Sequence, residues 1–318
     1  MKIYKKLNIG GEILKKYIGE IGLLLVAIIW GSGFVTMSSA LEQGFEPLQI
    51  ITLRFFIAAL LINIIFFKQI KENINKESLK AGCILGVFLF IAFVVQTIGL
   101  VYTTPSKNAF ITAANVVIVP FIGYFIYKRK LDKIGIICSV TTIIGIGILS
   151  LNDQLSINIG DVLTLVCAFG FAFHIFFTSE FASKYNPIVL TGIQFTVTFV
   201  LSFITQMLMG QGTFSGNTSG YFGILYSAVF CTTIAFLTQT ICQKRVEGTK
   251  TAIILSTESV FGALFSVIIW HEVITFKMII GCGIIFISII AAETKLSFLK
   301  KKDRLLESTA NIEKSNKS

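Results

Sequence analysis

Eight side chains able to hydrogen-bond, carry charge or stack stand inside otherwise apolar stretches: Trp30, Arg54, Gln96, Asn115, His174, Gln194, Gln239 and Glu258. Arg54 and Glu258 are the costly pair. A charge at the centre of a membrane-spanning helix costs about 2.5–3.5 kcal/mol on insertion scales, so it turns toward a cavity or a partner. Lining a cavity, Arg54 would meet an anionic group and Glu258 a cationic group or a proton. Burial penalises an ionised carboxyl, which makes Glu258 the candidate for proton coupling. The alternative is structural: an Arg–Glu or Arg–carbonyl brace between helices, or an Arg54 that snorkels outward. Gln96 and Gln239 could bond substrate or join helices. His174 could titrate near neutral pH or, as a neutral imidazole, bond a neighbouring helix. Trp30 precedes Gly31, Ser32 and Gly33, small residues that admit another helix while the indole faces a cavity or packs in the core.

Hydrolytic, redox and phosphate chemistry find no support. There are two histidines and no H-E-x-x-H, P-loop or G-x-S-x-G sequence. The six cysteines lie in apolar runs without a C-x-x-C pair, so they read as small apolar helix residues. No catalytic residue, metal site or cofactor is expected.

The elements that must position these residues follow from composition. Of 318 residues, 54% are hydrophobic and 14% charged, with a mean hydropathy of +0.81. A soluble domain carries about 25% charged residues. Apolar runs fall at about 18–38, 47–67, 80–102, 106–127, 133–151, 159–181, 188–208, 219–243, 250–270 and 274–293. Each is near the roughly 20 residues a helix needs to cross hydrocarbon, and inside hydrocarbon the backbone must bond to itself, so each is expected to be helical. Glu46-Pro47, Thr104-Pro105, Asn152-Asp153, Asn186-Pro187 and the polar stretch Gln211 to Gly220 punctuate them. The net charge of +10 is confined to gaps and tails, unlike the basic face of a nucleic-acid-binding domain. If the N-terminus is cytoplasmic, 24 of the 27 Lys and Arg lie inside, so both termini are expected in the cytoplasm. Ser38-Ser39-Ala40 imitates a cleavage site, but nine further runs follow, and the first run is read as an uncleaved anchor.

The chain also repeats itself. Shifted by 143, residues 91–126 overlie 234–269 without a gap, with 11 of 36 positions identical and Phe-x-x-Gln-Thr-Ile intact. Gln96 matches Gln239, Lys107 matches Lys250, and Asn115 overlies Glu258. A nearby offset sets Gln194 over Arg54. Five runs per half put the halves in opposite orientations, and the charges agree: Lys128-Arg129-Lys130 holds one loop inside, while its counterpart His271-Glu272-Val273 can lie outside. Inverted halves place a binding site near the bilayer midplane. Arg54 lies roughly 10 Å from the outer edge and Glu258 roughly 12 Å from the inner edge, about 8 Å apart in height across a core of about 30 Å.

The stretches Ala27 to Phe34, Pro47 to Ala59, Ser256 to Leu264 running on to His271-Glu272, and Gly281 with Gly283 resemble the EamA family of the drug/metabolite transporter superfamily. The resemblance covers most of residues 20–293. It implies an all-α integral membrane fold of ten helices in two inverted five-helix repeats, and export of small metabolites, amino acids or drugs. Two positions depart from the family pattern: Ser259 stands where Pro is frequent, and Lys128-Arg129-Lys130 where the first half often carries an acid. The expected layout is a cytoplasmic N-tail 1–17, repeats 18–151 and 159–293, and a charged C-tail 294–318 whose Lys300 to Lys302 could touch anionic lipid. Tyr102 and Trp270 are expected as interfacial anchors, and Gly82-x-x-x-Gly86 and Gly262-x-x-x-Ser266 as close helix contacts. The expected function is secondary transport at the plasma membrane of a small metabolite such as an amino acid, with a zwitterion preferred because both charge signs lie at depth. Partners are the substrate and the bilayer, with no nucleic acid; outward helix faces leave room for a homodimer. A nucleotide-sugar carrier would call for more than one basic residue at depth, a membrane enzyme for clustered acid/base or metal ligands, and a channel for repeated charged rings.

Overall fold

The computed structural model describes residues 2–128, 133–150, 158–212, 216–246, 251 and 254–294. The Asn152-Asp153 turn, Arg129 and Lys130, Lys250 and the tail from Lys295 lie outside the described residues. Every regular element among them is helical: α1 (Lys2–Glu42), α2 (Pro47–Ile65), α3 (Phe67–Asn73), α4 (Lys76–Leu100), α5 (Pro105–Thr112), α6 (Asn115–Tyr127), α7 (Lys133–Ser150), α8 (Ile159–Ala182), α9 (Pro187–Leu208), α10 (Thr218–Tyr226), a π segment (Ser227–Ile234), α11 (Ala235–Gln243), α12 (Glu258–Ile269) and α13 (Phe276–Thr294). Among the described residues, seven helices or joined helices are long and apolar enough to cross a membrane; Ile136–Ile148, Ile254–Ile269 and Phe276–Ala291 are shorter apolar helices.

The starts of the helices obey local chemistry. Pro47, Pro105 and Pro187 occupy the first turns of α2, α5 and α9, where an absent N–H costs nothing. Asn75, Thr104, Asn158, Asn186 and Asn217 accept backbone N–H groups as N-caps. The short helix α3 fills part of the gap between the second and third apolar runs, and α1 continues back through the expected N-tail to Lys2.

Three apolar runs are not uniform helices. The fourth breaks at Ala113–Ala114 between α5 and α6, the ninth turns at Thr257 just before α12, and the eighth widens into the π segment. The breaks recur at the offset of the repeat: α6 opens at Asn115 and α12 at Glu258. Their ends match too. Lys128 (φ 56°) and His271 (φ 55°), also 143 apart, are the two non-glycine residues in the left-handed region among the described residues. A left-handed residue just past a helix turns its last carbonyls back onto the chain.

Packing joins α1 to α12 and to α10–α11, α8 to α6 and α4, α4 and α2 to α9, and α7 to α13. Phe55, Phe93, Phe195 and Phe236 meet at the centre. The expected close contacts are present. A Cβ on Gly82 would lie 2.6 Å from Ile193, and one on Gly86 2.6 Å from Val197, so α4 and α9 touch backbone to side chain. A Cβ on Gly31 would lie 2.6 Å from Phe261 of α12. At Gly147 nothing lies within 4 Å. Gly82→Leu is therefore expected to push α4 off α9 and cost about 1–3 kcal/mol, read as a lower thermal unfolding midpoint in detergent. Gly147→Ala should leave that midpoint in place; equal midpoints for both variants would contradict this packing.

Candidate functional site

A cavity lies where α1, α2, α4, α5, α6, α8, the π segment, α11 and α12 converge. It is narrow, with a volume of about 50 Å³. Of the eight side chains singled out in the sequence, Trp30, Arg54, Gln96, Asn115, His174, Gln239 and Glu258 line it. Gln194 stands one layer behind, its Oε1 2.7 Å from Nε2 of His174. That bond joins α8 to α9 and fixes the imidazole, the structural alternative considered for His174.

Arg54 is buried on α2 and engaged at all three guanidinium nitrogens. Nε donates to Thr232 Oγ1, Nη1 lies 3.0 Å from Met37 Sδ, and Nη2 donates to the Cys231 carbonyl at 3.3 Å. Its carbon Cζ lies 4.4 Å from the centroid of the Phe93 ring, within cation–π range. The Cys231 carbonyl also accepts Trp30 Nε1 at 2.9 Å. Both acceptors belong to the π segment, whose widened turn presents backbone oxygens to side-chain donors; such turns concentrate at functional sites. Arg54 thus faces the cavity and braces α1, α2 and the π segment together, with no carboxylate within ion-pair distance among the described residues.

Glu258 is different. It opens α12 at the Thr257 turn, is 6% exposed, and among the described residues no hydrogen bond or ion pair reaches its carboxyl. The two charges that the sequence sets at neighbouring heights are not paired with each other. Gln96 donates to Thr112 Oγ1 at 3.1 Å; its repeat counterpart Gln239 is fully buried with neither amide atom bonded among the described residues. Aromatic rings complete the wall: Trp30 and Phe236 lie 4.8 Å apart, Phe93 and Phe171 5.2 Å apart.

A second, wider groove lies about one helical turn further along α1 and α4, between Ser38, Glu42, Leu100, Pro105, Trp270 and Glu272. Here Glu272 accepts the Ser106 N–H at 3.3 Å and the Ser266 hydroxyl. Nearby, Asp161 accepts Thr103 Oγ1 at 2.5 Å and lies 3.8 Å from Lys107 Nζ. Trp270 lines this groove, and Tyr102 is exposed beside it. Sequence reasoning passed over Thr112, Thr232, Asp161 and the Cys231 carbonyl. An acid inside the sixth apolar run was a usable signal for Asp161; threonines and a carbonyl in an apolar helix give none. No group of three or more possible metal ligands occurs among the described residues.

The EamA-like transporter family model matches residues 17–151 and again 158–293. An Archaeoglobus fulgidus protein named uncharacterized transporter is 33% identical over 287 residues, covering 90% of this chain and 89% of the relative. Bacillus subtilis uncharacterized transporter YetK is 22% identical over 304 residues, covering 88% of this chain and 90% of the relative. A crystal structure at 16% identity superposes with a TM-score of 0.62, covering 86% of this chain and 96% of that chain, a likeness of fold.

The Arg54 brace makes a stability prediction. Thr232→Val strands a buried guanidinium N–H and should cost about 1–3 kcal/mol, whereas Thr233→Val, which removes only a bond to Ala228 within its own segment, should cost less. Comparing thermal midpoints in detergent checks this. A Thr232→Val midpoint no lower than that of Thr233→Val would contradict the brace.

Proposed function

Because the chain belongs to the EamA-like transporter family, a family of membrane carriers, we propose that it is a secondary carrier of the plasma membrane, with both termini in the cytoplasm. It exports a small metabolite of amino-acid size by alternating access, driven by a gradient or by exchange. In this reading ten helices form two inverted halves, residues 18–151 and 159–293, and α5 with α6 counts as one crossing.

Several observations support the inverted halves. The family model matches twice. The helix breaks and the left-handed residues fall 143 apart. Packing partners exchange between halves: α1 rests on α12 as α8 rests on α6, and α4 packs on α8 as α11 packs on α1. Charge placement, with 24 of 27 basic residues in segments read as cytoplasmic, supports the orientation. The single observation that carries the reading is the deep cavity bounded by both halves, with a carboxyl at a helix break and no partner for it among the described residues. Broken helices near the midplane are where such carriers hold substrate and coupling ions. A nucleotide-sugar substrate fits less well, since one basic side chain lines the cavity and its three nitrogens are occupied.

Glu258, buried and without a partner among the described residues, is the group that takes up and releases the coupling proton in this scheme. Purified protein in liposomes loaded with a metabolite pool should show counterflow, and an imposed pH gradient should drive accumulation. Glu258→Gln should abolish the gradient-driven component. Full transport in that variant with an unchanged pH profile would refute the coupling role, and absence of movement under every gradient would refute the carrier.

A further inference from the structure

The cavity has an unbalanced charge inventory. Two formally charged side chains line it, Arg54 and Glu258. Arg54 is consumed internally: each guanidinium nitrogen has a protein partner and its face lies on Phe93. Glu258 has no such partner among the described residues. A buried carboxylate without a partner is strongly unfavourable, so Glu258 is neutralised either by the coupling proton or by a cation that exchanges with it.

An independent observation concerns Gln239. Gln96 donates to Thr112. At the repeat offset, Thr112 corresponds to Leu255, which also lines the cavity and offers no hydroxyl. The second half has thus lost the partner that its glutamine would have had. Gln239 keeps a fully buried amide whose Oε1 and Nε2 are both unbonded among the described residues. Buried amides are rarely left so. Its carbonyl is an acceptor for an N–H donor in the cavity.

We propose that the cavity binds a monocationic primary amine carried on a flat, single-ring apolar body, with the ammonium group between the Glu258 carboxylate and the Gln239 carbonyl and the ring among Trp30, Phe171 and Phe236. This rests on the carrier reading above and replaces the zwitterion that the sequence favours with a cation. The aromatic faces suit both ends of such a molecule, stacking with the ring and attracting the ammonium. The cavity holds about 50 Å³, well under the roughly 300–1,000 Å³ of small-ligand pockets, so it must widen to admit the amine and favours a flat occupant. A carboxylate on the ligand would find its natural partner, Arg54, already bonded.

The test compares three probes with one ring and different charge on the purified full-length chain: phenethylamine, phenylalanine and 3-phenylpropionate. By calorimetry, phenethylamine should bind at least about tenfold more tightly than phenylalanine, the scale of one charge-assisted hydrogen bond, and phenylpropionate should not bind. Glu258→Gln should lose phenethylamine binding. Gln239→Leu should lower the affinity about tenfold while its thermal midpoint stays level or rises, because it removes a stranded amide; a purely structural glutamine would lower the midpoint. Leu255→Thr should give Gln239 the partner that Gln96 has and weaken amine binding as well. Phenylalanine binding as tightly as the amine, binding of phenylpropionate, or amine binding that survives Glu258→Gln would overturn the proposal. If Glu258→Gln does not fold, the probe series and Gln239→Leu decide. Counterflow of the metabolite pool without phenethylamine binding sinks this inference alone, whereas loss of both sinks the carrier reading with it.

Discussion

Inside hydrocarbon there is no water to bond an open peptide group, so a chain that crosses it must satisfy every N–H and C=O from within. That constraint makes the departures from helix informative. The turn at Thr257 ends at Glu258, the gap after Thr112 ends at Asn115, and the π segment presents Cys231; Thr112, Asn115, Cys231 and Glu258 border the same cavity. These three departures from α-helix meet at one cavity, where side chains and small molecules can stand in for water. Elsewhere the helices are regular and close, glycine against isoleucine or valine between α4 and α9.

In the proposed reading, duplication accounts for the architecture of the cavity and divergence for its asymmetry. Asn115 and Glu258 occupy equivalent places, as do Arg54 and Gln194, Gln96 and Gln239, Thr112 and Leu255. Three of these pairs differ in residue type, and in the fourth Gln96 is bonded to Thr112 while the Gln239 amide has no partner among the described residues. Arg54 has the π segment as its acceptor, whereas Gln194 bonds His174 on the neighbouring helix α8; α4, the counterpart of the π segment at the repeat offset, is a regular helix. A two-fold scaffold with unlike groups at related sites can hold one asymmetric ligand in one orientation.

Much of this was legible in the sequence because placing a polar group in lipid is expensive. Arg54, Gln96, His174, Gln239 and Glu258 stand out against apolar runs, and all border the cavity. Prolines and asparagines at the helix starts were equally readable, since their geometry is local. Partner choice was not. Whether Arg54 meets Glu258 or Thr232 depends on helix rotation and a widened turn, which apolar periodicity does not encode. The Thr257 break forms without the proline that often marks that helix in the family, from Thr257 and Ser259 hydroxyls bonding back to the Ile254 and Ser256 carbonyls. Gln194 lies behind the lining, bonded to His174.

The central claim is that the two halves cross the membrane in opposite senses around one cavity. It is tested most directly by labelling Lys128→Cys and Val273→Cys with a membrane-impermeant maleimide in intact and permeabilised cells, against the unsubstituted chain as baseline. These positions are exposed and follow α6 and α12, the helices that the repeat sets in correspondence. The account predicts that Val273→Cys reacts in intact cells and that Lys128→Cys reacts only after permeabilisation. Reaction of both from the same side would contradict it.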